Sequence, residues 1–215
     1  MKKYAIYGKG GIGKSTITSS LAAAIAGMGY KVMQIGCDPK ADSTSNLLDG
    51  ELVTSVMSYL NENEEPPELE DIVKQGFNGV YCVEAGGPTP GIGCAGRGII
   101  ATLNLLEELD AFEIYKPDFV LFDVLGDVVC GGFSAPIRDG YADEVLIVTS
   151  GEKMALFAAR NICMAVDNFK DRGYASVKGI IMNRRNVENE AELVRKMAEE
   201  ADLDIIGDVP RDPAV

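Results

Sequence analysis

A chain of 215 residues with 47% hydrophobic and 25% charged residues has the make-up of a folded globular protein. Disordered, collagen-like and coiled-coil classes are excluded on composition. Twenty basic against 33 acidic residues give a net charge of −13, which argues against nucleic acid as a partner because binding it needs a basic footprint.

The chain contains no histidine, so His-based triads, His general bases and His-ligated zinc are removed in one step. Any metal must be held by thiolate or oxygen. The five cysteines include no CxxC pair, so reduced thiols, metal ligands or buried apolar residues are expected, not a disulfide framework. No run of about 18 apolar residues occurs, so no membrane span is expected. The start, Met1 to Ile6, is interrupted by Gly8, Lys9 and Gly10 before a signal core can form, which points to the cytoplasm.

Taken in chain order, residues 3–7 read as a strand, followed by a glycine-rich turn and a helix over 14–28 that Gly29 stops. Strands are predicted at 31–35, 79–84, 118–125, 144–149, 177–183 and 204–208, and helices at 98–109, 153–172 and 188–201. The acidic, proline-containing stretch 62–70 reads as a solvated loop leading into a short helix. Strands alternating with helices imply crossover units and a mostly parallel α/β sheet with helices on both faces. The near-continuous apolar run Phe119-Val120-Leu121-Phe122 fits a strand buried on both sides. The expectation is a single domain over 1–215.

The turn after the first strand carries the strongest motif, Gly8-Lys9-Gly10-Gly11-Ile12-Gly13-Lys14-Ser15-Thr16. It matches G-x-x-x-x-G-K-[ST] between a strand and a helix, the context of a P-loop. Glycines there let successive N–H groups turn inward around phosphates, and the helix N-terminus adds orphan donors. Lys14 is expected to reach the β- and γ-phosphates of ATP and Ser15 to ligate Mg²⁺. Lys9 is an additional loop lysine. It reads either as an exposed charge or as a second cation aimed at nucleotide phosphates across a dimer interface.

Two segments add carboxylates beside this loop. Asp38 and Asp42 follow the second strand, and Asp123, Gly126 and Asp127 end the fourth. Asp123 has the position of a Walker B aspartate for Mg²⁺. Gly126 can present its amide to a γ-phosphate, Asp38 can orient the attacking water, and Asp42 can sense Mg²⁺. Turn and helix-cap chemistry is the competing role for Asp38 and Asp42. Lys9, Lys14, Asp38 and Asp127 form the expected catalytic set.

Cys94 and Cys130 each sit in a glycine-rich loop, where backbone amides can approach inorganic sulfide. Cys82 and Cys163 lie on a predicted strand and helix and read as buried apolar residues. Two cysteines are too few for a cubane cluster, and a two-fold dimer supplies four. Cys130 lies three residues beyond Asp127, so nucleotide state has a short lever to a cluster ligand.

The loop GKGGIGKS resembles the deviant Walker A loop of partitioning, septum-positioning and tail-anchored-protein-targeting ATPases and of the nitrogenase iron protein. The segments YGKGGIGKST, GCDPKADST, GGPTPGIGCAGRG and DVLGDVVCGGF, with the rest of the chain from Lys3 to Asp212, resemble the nitrogenase iron protein family. The resemblance implies a P-loop NTPase fold and a homodimer with one 4Fe–4S cluster bridging the subunits and one MgATP per subunit. Single electrons would pass from a low-potential donor such as ferredoxin or flavodoxin to a nitrogenase or nitrogenase-like catalytic protein, coupled to ATP hydrolysis. It further implies that Cys94 and Cys130 are the cluster ligands, that Lys9 reaches the partner's nucleotide, and that Arg97 is the arginine ADP-ribosylated in some members. Asn183, Pro210, Arg211 and Asp212 match the adenine-side pocket.

Ser134-Ala135 and Lys153, Leu156, Phe157 and Arg160 depart from nitrogenase members, which leaves open a reductase for a tetrapyrrole-reducing enzyme. Family members usually continue beyond the VPRD segment, so the family's C-terminal tail is expected to be absent from a chain that stops at Val215. A partitioning-type ATPase without a cluster, and an Fe–S carrier, are the competing classes. The first leaves the two glycine-loop cysteines unexplained, and the second usually carries a CxxC near its C-terminus.

Overall fold

The computed structural model describes residues 1–87, 96–126, 134–138, 140–168 and 174–212. Among these residues eight strands form one sheet: β1 (Lys2–Gly8), β2 (Val32–Gly36), β3 (Val73–Gln75), β4 (Tyr81–Glu84), β5 (Phe119–Asp123), β6 (Glu144–Thr149), β7 (Ser176–Asn183) and β8 (Ile205–Val209). Their order is β3-β4-β2-β5-β1-β6-β7-β8. All pairs are parallel except β3–β4, which is antiparallel at the edge. The fold is the predicted P-loop NTPase α/β class.

The longer helices are α1 (Lys14–Gly27), α4 (Gly96–Glu108), α7 (Lys153–Asp167) and α8 (Glu190–Glu200). Shorter ones are α2 (Val56–Glu62), α3 (Leu69–Ile72), α5 (Ala111–Tyr115) and α6 (Ala135–Arg138). The sequence reading missed β3 and the short helices except the one after the acidic loop, because segments of three to seven residues carry too little periodicity. Helix α7 ends at Asp167 where the sequence predicts continuation to 172; residues 169–173 lie outside the described part.

Alternation along the strands sorts the core into two layers. Ala5, Tyr7, Val120, Phe122, Val145 and Ile147 face one side, packed with Ile99, Leu103 and Leu106 of α4 and Ala159, Ile162 and Val166 of α7. Ile6, Leu121, Leu146 and Val148 face the other side, packed with Ile17 and Ala22 of α1. A period of two with both faces apolar is what a sheet covered on both sides requires. Parallel strands also bring their carboxyl ends to one edge. The P-loop after β1, Cys37 after β2, Glu84 on β4, Asp123 on β5, Ser150 after β6 and Asn183 on β7 therefore gather there, where ligands of open α/β sheets bind.

Candidate functional site

The P-loop turns sharply because two of its glycines take conformations other residues resist. Gly13 has φ +93°, and an added Cβ would lie 2.6 Å from Asn183 Nδ2. At Gly8 (φ +155°) a Cβ would strike the Val148 carbonyl. The loop closes with Ile12 N–H donating to the Lys9 carbonyl at 3.1 Å. Helix α1 then starts at Lys14 with no side-chain cap, leaving its first N–H groups open to an anion.

Lys14 is buried, 8% exposed, beside Asp123. Burial pushes the Asp123 carboxyl above its ordinary range, against the pull of the Lys14 cation and of the Ser15 and Ser43 hydroxyls. Ser43 Oγ donates a short hydrogen bond to Asp123 Oδ2. Asp123 Oδ1 is buried and has no hydrogen-bond partner. A buried carboxylate oxygen without a partner is costly unless a cation or water completes it. The donor set fits Mg²⁺, which prefers one or two protein oxygens plus nucleotide phosphates. Among the described residues no group of three or more Cys, Asp or Glu side chains is arranged to hold a metal without a nucleotide.

The remaining predicted residues fall in three groups. Gly126 lies against the P-loop, where its added Cβ would be 3.9 Å from the Gly8 carbonyl and 4.0 Å from Gly10 N. Lys9 Nζ donates to the Gly10 carbonyl at 3.2 Å, on the rim of the loop. Asp38 and Asp42 both engage Lys40, at 4.0 and 3.6 Å, and Asp38 Oδ1 accepts Lys40 N–H at 2.9 Å. The turn chemistry weighed for these aspartates is present at Asp38, while the Asp42 side chain forms an ion pair, and their segment is tied through Ser43 to Asp123 and to Ser19 of α1. Asp127 lies outside the described residues.

On the other side of the P-loop a cavity of about 810 Å³ is lined by Gly13, Thr16, Asn183, Pro210, Arg211 and Asp212, with Ile17, Leu21, Ile206 and Val209 supplying apolar walls. Asn183 Nδ2 donates to the Ile12 carbonyl at 2.7 Å, and Arg185 Nη2 to the Gly11 carbonyl at 2.6 Å. Glu190, buried at the start of α8, accepts from Arg185 N and Gly151 N at 3.0 Å each. The predicted adenine-side residues therefore share one cavity with the P-loop. It is apolar enough for a base and opens onto the phosphate cradle.

Cys82 takes the buried position expected of it and Cys163 is half-buried; Cys37 is buried too, and none of the three is in a disulfide. Burial pushes the Cys82 thiol up to about 12, the Cys163 thiol to about 11, and that of Cys37 well above its usual range. Such thiols stay protonated and are poor metal ligands. Cys94 and Cys130 lie outside the described residues. Arg97 is exposed on the first turn of α4.

Sequence reasoning passed over a buried polar network beneath the P-loop. Gln34 Nε2 donates to the Ser43 carbonyl at 3.1 Å and to Ser19 Oγ at 3.2 Å, and Ser19 Oγ donates to the Ser43 carbonyl at 3.1 Å. It also passed over Glu84, Arg185 and Glu190. The available signal was a polar residue inside an otherwise apolar strand: Gln34 in VMQIG and Glu84 in YCVE.

The family model described as 4Fe-4S iron sulfur cluster binding proteins, NifH/frxC family, matches residues 2–215. The chain belongs to this family. Solved structures share its fold at low identity. The cell division ATPase MinD of Pyrococcus furiosus superposes with a TM-score of 0.74 at 21% identity, over 100% of this chain and 85% of that one. MinD of Pyrococcus horikoshii OT3, complexed with Mg-ADP, gives 0.70 at 23% identity, over 100% and 83%. A ParA family ATPase from Chlorobium tepidum TLS gives 0.72 at 15% identity, over 99% and 85%. The nucleotide-binding P-loop is common ground between the family and the fold. Among the described residues, no helix is long and apolar enough to cross a membrane.

Proposed function

We propose that the protein is an ATP-dependent electron-transfer protein. It works as a homodimer with one 4Fe–4S cluster held by Cys94 and Cys130 of each subunit. It takes electrons from a low-potential donor such as ferredoxin or flavodoxin and delivers them singly to a nitrogenase or nitrogenase-like catalytic protein. The observation that carries the reading is the buried, unpartnered Asp123 Oδ1 beside Lys14 and Ser15 in the P-loop, in a chain matched over residues 2–215 by a 4Fe–4S family. The thiol chemistry supports the ligand choice: of five cysteines two are buried and one half-buried, all with raised thiols, and the two remaining per chain make four in a dimer.

Lys14 neutralises the transferring phosphoryl group, and the α1 N-terminus and loop amides hold the phosphates. Ser15 and Asp123 present oxygens for Mg²⁺. Gly126, close to Gly8 and Gly10, offers an amide at the γ-phosphate end. Asp38 orients the attacking water, Asp42 senses the metal side, and Asp127 carries the nucleotide state toward Cys130. Asn183, Pro210, Arg211 and Asp212 hold the adenine. Lys9, on the loop rim, serves the partner's nucleotide. Arg97, exposed on α4, is the candidate for ADP-ribosylation. When bound, MgATP supplies the hydrolysable anhydride and the cluster a one-electron carrier.

The test is anaerobic iron and acid-labile sulfide quantitation with EPR, with and without MgATP. Four iron and four sulfide per dimer and a reduced-state signal altered by MgATP are the expected result. No cluster after anaerobic reconstitution, with ATP hydrolysis retained, would favour the second reading. That reading is a partitioning-type ATPase, supported by the fold shared with MinD and ParA proteins.

A further inference from the structure

Glu84 is the last residue of β4 and its side chain is fully buried. Its Oε1 accepts both the backbone N–H of Thr44, at 2.6 Å, and the Thr44 hydroxyl, at 2.7 Å. Its Oε2 is buried with no hydrogen-bond partner. The carboxylate fills the space over Gly36, where an added Cβ would collide with Oε2 and lie 2.7 Å from Ser43 Cβ. The next residues are fastened to the same segment. Ala85 N–H donates to the Gly36 carbonyl at 2.8 Å, and a Cβ on Gly87 would lie 2.7 Å from Pro39 Cβ. Residues 84–87 therefore ride on residues 36–44.

Ser43 and Thr44 are consecutive, yet their hydroxyls bond carboxylates on two different strands: Ser43 to Asp123 of β5 and Thr44 to Glu84 of β4. Seven residues after Asp123 comes Cys130, and ten after Glu84 comes Cys94. A movement of Asp42–Thr44 is thus applied to the roots of both cysteine segments at once. A fully buried carboxylate is an expensive acceptor for a threonine that a neutral group would satisfy. Its two short bonds make a stiff joint between the segments.

We propose that Glu84 is a positioning residue that joins the Asp38–Thr44 segment to the segment leading to Cys94, giving nucleotide state a second route to the cluster beside the one through Asp123 and Cys130. This rests on the electron-transfer reading above. The route needs no movement of Asp127.

The experiment compares full-length holoprotein with its Glu84→Gln, Thr44→Val and Thr44→Ser variants. Iron content and MgATP affinity are measured first. Hydrogen–deuterium exchange of peptides spanning 81–98 and 120–133 is then followed with and without MgATP. The expected result is wild-type-like iron and nucleotide affinity in Glu84→Gln and Thr44→Val, with the MgATP response of the 81–98 peptide cut about fivefold in Thr44→Val and that of the 120–133 peptide retained. Glu84→Gln, whose amide oxygen still accepts from Thr44, should keep both responses. Thr44→Ser, which keeps the hydroxyl, should retain both responses. If Glu84→Gln does not fold, Thr44→Val carries the comparison. An unchanged 81–98 response in Thr44→Val, or equal loss at both peptides, overturns the assignment. Absence of iron in the wild type would instead overturn the electron-transfer reading, while the two exchange responses to MgATP would still decide the joint.

Discussion

Two side chains beneath the nucleotide edge control what it can do. Lys14 is buried against Asp123, and replacing it leaves a buried carboxylate without its nearest cation. Lys14→Ala is expected to lower ATP affinity at least about tenfold and to abolish hydrolysis, while the fold is retained. Isothermal titration and a phosphate-release assay check this, and ATP turnover at the wild-type rate would remove Lys14 from the mechanism. At Glu84, burial outweighs the two Thr44 hydrogen bonds and pushes the carboxyl from 4.5 up to about 7. The native state therefore holds the proton longer than the unfolded chain does. Glu84's contribution to stability is greatest below about pH 4.5 and falls as pH rises toward 7, by up to about 3 kcal/mol. Relative to wild type, nucleotide-free Glu84→Gln should gain stability between pH 5 and 8. Denaturant midpoints measured across that window would show it, and parallel curves for the two proteins would contradict it.

At the scale of elements, the contact between the P-loop and β7 explains why the loop keeps its shape. Asn183, at the end of β7, holds the Ile12 carbonyl, and Gly13 leaves room for its amide. Gly13→Ala places a Cβ 2.6 Å from Asn183 Nδ2 at φ +93°, so both the turn and the clasp must give. The expected cost is about 1–3 kcal/mol of stability, with a larger loss of nucleotide binding because the donors at the start of α1 are displaced. Thermal unfolding with and without MgADP separates the two effects: nucleotide should raise the wild-type melting temperature and leave the variant's nearly unchanged. The polar network of Ser19, Gln34, Ser43 and Asp123 plays a matching part on the β2–β5 side. It ties α1, two strands and the Asp38–Thr44 segment together under the phosphates.

At the scale of the whole molecule, the proposed activity requires two subunits. Cys94→Ser or Cys130→Ser should lose the 4Fe–4S cluster and keep ATP binding, because neither cysteine is among the residues expected to hold the nucleotide or Mg²⁺. A reducible cluster retained in either variant would end the ligand assignment. Lys9 donates to its own loop's rim rather than into the cradle. Lys9→Ala is therefore expected to bind nucleotide within about threefold of wild type and to lose at least about tenfold in hydrolysis, as expected for a group acting across the dimer. Equal losses in binding and turnover would place Lys9 in its own subunit's site.

Much of this was legible in the sequence. Residues 3–16 and the apolar runs through Phe122 and Ile147 dictate strands, a phosphate loop and a parallel sheet, because backbone hydrogen bonding and burial on both faces leave few other arrangements. The P-loop glycines and the cysteines in glycine-rich loops carried the family. Asn183 and Pro210–Asp212 were placed by resemblance, and the fold brings them to the P-loop's cavity across some 170 to 200 residues of chain. What the sequence could not reveal is which side chains meet beneath that edge. Glu84 on Thr44, Ser43 on Asp123, Arg185 on Gly11 and Glu190 on Gly151 are contacts between segments far apart in the chain. They exist only because parallel strands bring their carboxyl ends side by side. Local periodicity reports the face a residue occupies; its partner, and the cost of burying its charge, are set by the neighbouring strand.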